Sequence, residues 1–70
     1  MTTKAKKLII GDKVRRARSR AGMTQEGLAH FTGIAQSHIS EIEAGNRGMK
    51  AAQLQQIARV TRKPMEYFVT

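Results

Sequence analysis

Apolar residues recur along this chain at intervals of three and four, in short runs cut off by glycines. No stretch sustains the two-residue alternation of a half-buried strand. Ile10, Val14 and Ala17 share one face of a helix expected from about Ile9 to Ala21, and Gly22 follows where a left-handed residue would close it. Thr24 is a good N-cap for a second helix reaching about Phe31, with Leu28 and Ala29 inward and Gly33 ending it. A third helix is expected from near Ala35 or Gln36 to Ala44, before Gly45. A fourth runs from about Lys50 to Thr61, burying Leu54, Ile57, Ala58 and Val60. Pro64 suits the first position of a short fifth helix carrying Met65 and Phe68. The expected fold is all-α, a compact five-helix bundle over residues 9–70, preceded by a flexible basic arm at residues 1–8.

Two short helices joined by a tight glycine-containing turn, as around Gly33, make a helix-turn-helix. On a wheel of about 100° per residue, Ala35, Ile39 and Ile42 of the third helix fall together and must face the core. Gln36, Ser37, Ser40 and Glu41 fall on the opposite face, and His38 and Glu43 flank the core side. In a major groove, Gln pairs with adenine, Ser with several base edges, and Glu with the amino group of cytosine. The front of this helix therefore reads as a DNA contact surface.

Charge strengthens that reading. Thirteen Lys and Arg against five Asp and Glu give a net charge of +8 on 70 residues. Lys4, Lys6, Lys7, Lys13, Arg15, Arg16, Arg18 and Arg20 face only Asp12 in the first part of the chain. Such a patch attracts a polyanion through counterion release, although it also serves as an ordinary solvated surface. A chain of this length makes one domain, and with no cysteine it has neither disulfides nor thiolate metal ligands. No apolar run approaches membrane-spanning length, so a soluble, cytoplasmic protein is expected, associated with the nucleoid and not with a membrane.

The stretch "MTQEGLAHFTGIAQSHISEIEAGNRG", with "IGDKVRRAR" before it, resembles the Cro/C1-type (XRE-like) helix-turn-helix family of bacterial and phage regulators. The similarity extends from about Ile10 to Phe68 and implies a lambda repressor-like DNA-binding domain. It implies that Gln25 binds a DNA phosphate at the start of the second helix, and that Gln36, Ser37, Ser40 and Glu41 face base edges. Asn46 and Arg47 would hold the adjacent backbone, and Arg18 and Glu43 would form a structural ion pair. The chain departs from the pattern in three places. Ala35 lacks a capping side chain, Gly27 replaces a glutamate, and Thr61-Arg62-Lys63 stands where a glycine-centred helix end is usual, so the fourth helix is expected to end differently.

Other chemistry has little support. His30 and His38 lack a third ligand at suitable spacing, so no metal site is expected; His38 is instead a candidate phosphate contact. Glu41 and Glu43 do not face one another on a helix, and no nucleophile accompanies them, which argues against an enzyme. "GNRG" matches a KH-type loop only by its two glycines. Met23 and Phe31 are expected at the core edge, Phe68 closes the core, and Tyr67 is left open between core and partner contact. The expected function is a transcriptional regulator, a repressor, binding a palindromic operator as a homodimer with its third helix in the major groove. Half-sites would lie about 34 Å apart. No cofactor is implied. An antitoxin-type protein that binds a partner and autoregulates its operon is the alternative, and a toxin or RNA polymerase is the protein partner left open. A basic nucleic-acid binder without sequence preference is the third reading.

Overall fold

In a computed structural model, the backbone is described for residues 2–69 and the side chains for residues 6–69. The element order is α1 (Thr2–Arg20), α2 (Gln25–Thr32), α3 (Gln36–Glu43), α4 (Ala51–Thr61) and α5 (Met65–Val69), with no strand among the described residues. α1 packs against α3, α4 and α5, while α2 packs on α3 and α4. Val14, Leu28, Ile39, Ile57 and Phe68, one from each helix, are fully buried, and Ile42 of α3 is nearly so.

The helix ends follow local chemistry. Thr24 Oγ1 accepts the Gly27 N–H at 3.0 Å, capping α2. Gly33 closes α2 at φ 77°, and its N–H donates to the Ala29 carbonyl. Within the turn, Thr32 Oγ1 donates to the Leu28 carbonyl at 2.7 Å and accepts the Ile34 N–H at 3.2 Å. Ile34 is buried there, between the two helices it connects. Ala35 provides no side-chain cap for α3. At α4 the Lys50 N–H donates to Gln53 Oε1 at 3.0 Å, half of a capping box.

The structure corrects several expectations. α1 begins at Thr2 and not near Ile9, so residues 2–8, expected as a flexible arm, form its first turns. Lys, Ala and Leu are good helix formers and nothing in that stretch breaks a helix. α4 does not end differently for want of glycine. Lys63 N–H donates to the Ala58 carbonyl at 2.9 Å and Arg62 N–H to that of Arg59 at 3.2 Å, the same two bonds that Met23 and Gly22 make at the end of α1 and Asn46 and Gly45 at the end of α3. Arg62 adopts φ 60° to make them, at a cost of about 1–2 kcal/mol for a residue with a Cβ. Val60 packs half-buried against the core, and α4 also buries Thr61, whose hydroxyl donates to the Ile57 carbonyl at 2.7 Å and so enters the core satisfied. Phe31 is 63% exposed, its ring edge-on to His30, and Ala35 is exposed at the helix cap instead of facing the core.

α1 and α3 cross at unusually close range. A Cβ on Gly11 would overlap the Ile42 carbonyl oxygen and come within 3.0 Å of that of Glu43. Gly11 thus lets α1 lie against the C-terminal end of α3, and Leu8, one turn earlier, sits against Gly45. That crossing determines how the front of α3 is presented.

Candidate nucleic-acid interface

α3 is anchored from behind. Ile39 and Ile42 are 0% and 2% exposed, and they fix the rotation of the helix about its axis. Gln36, Ser37, Ser40 and Glu41 consequently stand exposed on the outer side. Among the described residues, the side chains of Gln36, Ser37 and Ser40 make no hydrogen bond, so their donors and acceptors are available to a partner. Glu41 is already engaged: its Oε1 accepts from Arg47 Nη1 at 3.0 Å, in an ion pair about half exposed on both sides.

The end of α3 is braced from within. Arg18 Nε donates to Glu43 Oε2 at 2.7 Å and Arg18 Nη2 to Glu43 Oε1 at 3.1 Å, a two-pronged pair between α1 and α3. Arg18 Nη1 also donates to the Met23 carbonyl at 2.8 Å, tying in the α1–α2 turn. Gln25 Nε2 donates to Glu43 Oε1 at 3.1 Å. The Glu43 side chain is 4% exposed and that of Arg18 16%. The hydrogen bond to Glu43 raises the Arg18 pKa above its ordinary value, with the Glu43 charge adding to it and burial opposing both. One buried carboxylate thereby holds the scaffold pair and also orients Gln25 at the start of α2. Its second amide hydrogen and the first backbone N–H groups of α2 remain to meet an anion.

The residues proposed for the backbone lie around the loop after α3. Asn46 and Arg47 are exposed there, and the Asn46 N–H donates to the Glu41 carbonyl at 3.0 Å, which closes α3. His38 Nε2 lies 3.4 Å from the Gly48 carbonyl oxygen, long for a hydrogen bond, so its ring leans toward this loop. His38, Arg47, Lys50 and Gln53 line a shared open cleft. The structure therefore gathers Gln36, Ser37, Ser40 and Glu41 on one helix face, and His38 and Arg47 at the cleft, with Asn46 beside it. Gln25 stands apart at the α2 terminus. Sequence reasoning did not anticipate the Gln25–Glu43 bond, the Arg18–Met23 bond or the place of Lys50 beside Arg47. Each depends on contacts between elements that no spacing along the chain reveals. Among the described residues no group of histidines and acids could hold a metal ion, and no helix is long and apolar enough to cross a membrane.

Short helices, a glycine turn and a polar outward face on a buried-backed second helix define a helix-turn-helix domain. The "Helix-turn-helix domain" family model matches residues 9–64. The chain belongs to the Cro/C1-type (XRE-like) helix-turn-helix family of DNA-binding transcriptional regulators, a class that is not enzymatic. It is 44% identical over 50 residues to a competence pilus inhibition repressor of Acinetobacter baylyi, a match covering 71% of this chain and 46% of that protein. It is 46% identical over 52 residues to YazB of Bacillus subtilis, an uncharacterised regulator of the same type, covering 74% and 75%. The restriction-modification controller protein C.AhdI from Aeromonas hydrophila shares the fold, with a TM-score of 0.86 at 23% identity over 91% of this chain and 97% of that one. The chain spans less than half the length of the Acinetobacter repressor it matches.

Proposed function

We propose that this protein is a sequence-specific, double-stranded DNA-binding repressor that acts in the cytoplasm as a homodimer on a palindromic operator. α3 enters the major groove, where Gln36, Ser37, Ser40 and Glu41 meet base edges. Gln25, His38, Asn46 and Arg47 meet the flanking phosphates. The observation that carries this reading is the outer face of α3: three exposed polar side chains without partners, on a helix whose inner face is locked by Ile39 and Ile42. A surface built only for solubility has no need of a fixed rotation. The repressor name of the Acinetobacter relative supports the sign of regulation.

Selection from randomised duplex DNA at about 150 mM salt, where backbone attraction alone does not dominate, tests the reading. The expected product is a palindrome with half-sites about one helical turn apart. Gln36→Ala should cost about 1–3 kcal/mol on that sequence and relax one position in each half, with little change on other DNA. Tight binding without enrichment of any sequence would refute specific readout.

A further inference from the structure

The helical extension at the start of α1 brings a further cation to the proposed DNA side. Gly11 allows α1 to cross the end of α3, and Leu8 lies against Gly45. One residue earlier, the Lys7 side chain runs over the next loop, its Cε 3.6 Å from where a Gly48 Cβ would stand. Lys7, Arg47, Gly48 and Met49 line one cavity of about 140 Å³, and Arg47, Gly48 and Met49 recur in the neighbouring cleft, where Lys50 joins them. Three cations, Lys7 from α1 and Arg47 and Lys50 from the α3–α4 connection, therefore gather at one short loop.

Lys7 has no ion-pair partner among the described residues, and the acids nearby are committed. Asp12 pairs with Arg15 and Arg16, Glu43 with Arg18, and Glu41 with Arg47. A half-buried lysine stem laid over a glycine is a common way to cover apolar surface while the ammonium stays in water. Covering Gly48 does not by itself require a charge. Here the charge is delivered beside the residues proposed to hold the DNA backbone.

We infer that Lys7 is a DNA phosphate contact, placed by the α1 extension beside Arg47, so that α1 and the loop after α3 grip neighbouring phosphates together. This rests on the reading that α3 and the loop after it face DNA. It adds a residue from an element to which that reading assigned no contact with nucleic acid. Counterion release gives the size of the effect. One phosphate contact contributes about 0.9 to the slope of log affinity against log salt, and so about a five-fold change in affinity at 150 mM.

The test measures affinity for a short duplex of arbitrary sequence across a salt series, for the full chain and three variants, after circular dichroism shows that each is folded. Lys7→Gln should bind about five-fold more weakly at 150 mM with a slope shallower by about 0.9, and Lys7→Arg should retain both values. Arg59→Gln removes the same charge from an exposed site about 14 Å along α4 from Lys50, and it should change neither by as much. An unchanged slope in Lys7→Gln would overturn the inference, as would an equal loss in Arg59→Gln, which would reduce Lys7 to a share of net charge. Arbitrary DNA is bound without base readout, so these outcomes do not depend on an operator. A failed selection for specific sequences would remove the proposed readout and leave the Lys7 result standing.

Discussion

Arg18→Met isolates the brace behind α3. The substitution keeps an apolar stem of similar length and removes three hydrogen bonds: two to Glu43, at 2.7 and 3.1 Å, and one to the Met23 carbonyl, at 2.8 Å. It leaves the Glu43 carboxylate, 4% exposed, with the Gln25 amide as its remaining side-chain donor. Breaking a buried pair on one side costs about 3–5 kcal/mol, because the surviving charge stays desolvated. A domain of 70 residues has about 4–10 kcal/mol to lose. At about 4–8 °C per kcal/mol, the midpoint should fall by at least about 12 °C. Removing both partners, as Arg18→Met with Glu43→Leu, should recover much of that loss, since an apolar replacement leaves no buried charge. Thermal and urea unfolding followed by circular dichroism reads the parent, both single variants and the double variant. A midpoint for Arg18→Met within about 2 °C of the parent would refute the buried-charge argument, and so would a double variant as unstable as the two single losses added. The raised Arg18 pKa means its contribution is fully present at every pH below the ordinary arginine value and is lost only as pH rises through the still higher folded value. The stability difference should therefore owe nothing to Arg18 titration near neutrality.

Gly11→Ala should destabilise despite a helix-propensity gain of about 1 kcal/mol, because its Cβ would meet the Ile42 carbonyl oxygen and overpacking costs about 1–3 kcal/mol. A raised melting temperature would refute the close crossing. Arg62→Gly relieves a residue held at φ 60° and should stabilise by about 0.5–1 kcal/mol, net of the added freedom of the unfolded chain; a lower urea midpoint would contradict it. Glu41→Gln frees Arg47 from an exposed pair worth about 1 kcal/mol or less, so affinity for arbitrary duplex should rise by at most about five-fold, as read by fluorescence anisotropy. Weaker binding to arbitrary duplex would show that the pair itself helps to hold DNA.

Most of the fold could be read from the chain because its evidence is local. Thr24, Gly22, Gly33 and Gly45 act within one turn of their own helices, and the apolar repeats that bury Val14, Leu28, Ile39 and Ile57 need no knowledge of the partner face. Errors arose where local rules meet tertiary ones. Arg62 accepts backbone strain because the rest of the helix end forms its usual bonds around it. Thr61 is polar by composition but becomes a core residue once its hydroxyl is spent on its own helix. The start of α1 was misplaced because a lysine-rich stretch with no breaker suits either an arm or a helix, and only its contacts at Gly45 and Gly48 distinguish them.

The candidate site divides along the same line. Which residues face outward on α3 follows from periodicity, and Gln36, Ser37, Ser40 and Glu41 are exposed there. Which of them are free to act does not follow, since that depends on neighbours brought in by the fold. Glu41 and Arg47 have separate tasks in the proposed complex, one at bases and one at the backbone, yet in the free protein each neutralises the other at 3.0 Å. Gln25, read as a phosphate ligand, spends one donor on Glu43 and is thereby oriented by the pair that locks α3 to α1. Reading and holding are thus coupled through two carboxylates, one half exposed and one buried. The exposed link can exchange its partner for DNA at a cost of about 1 kcal/mol or less. The buried one cannot open without giving up several times as much, so Glu43 sets the geometry in which Glu41 has a choice.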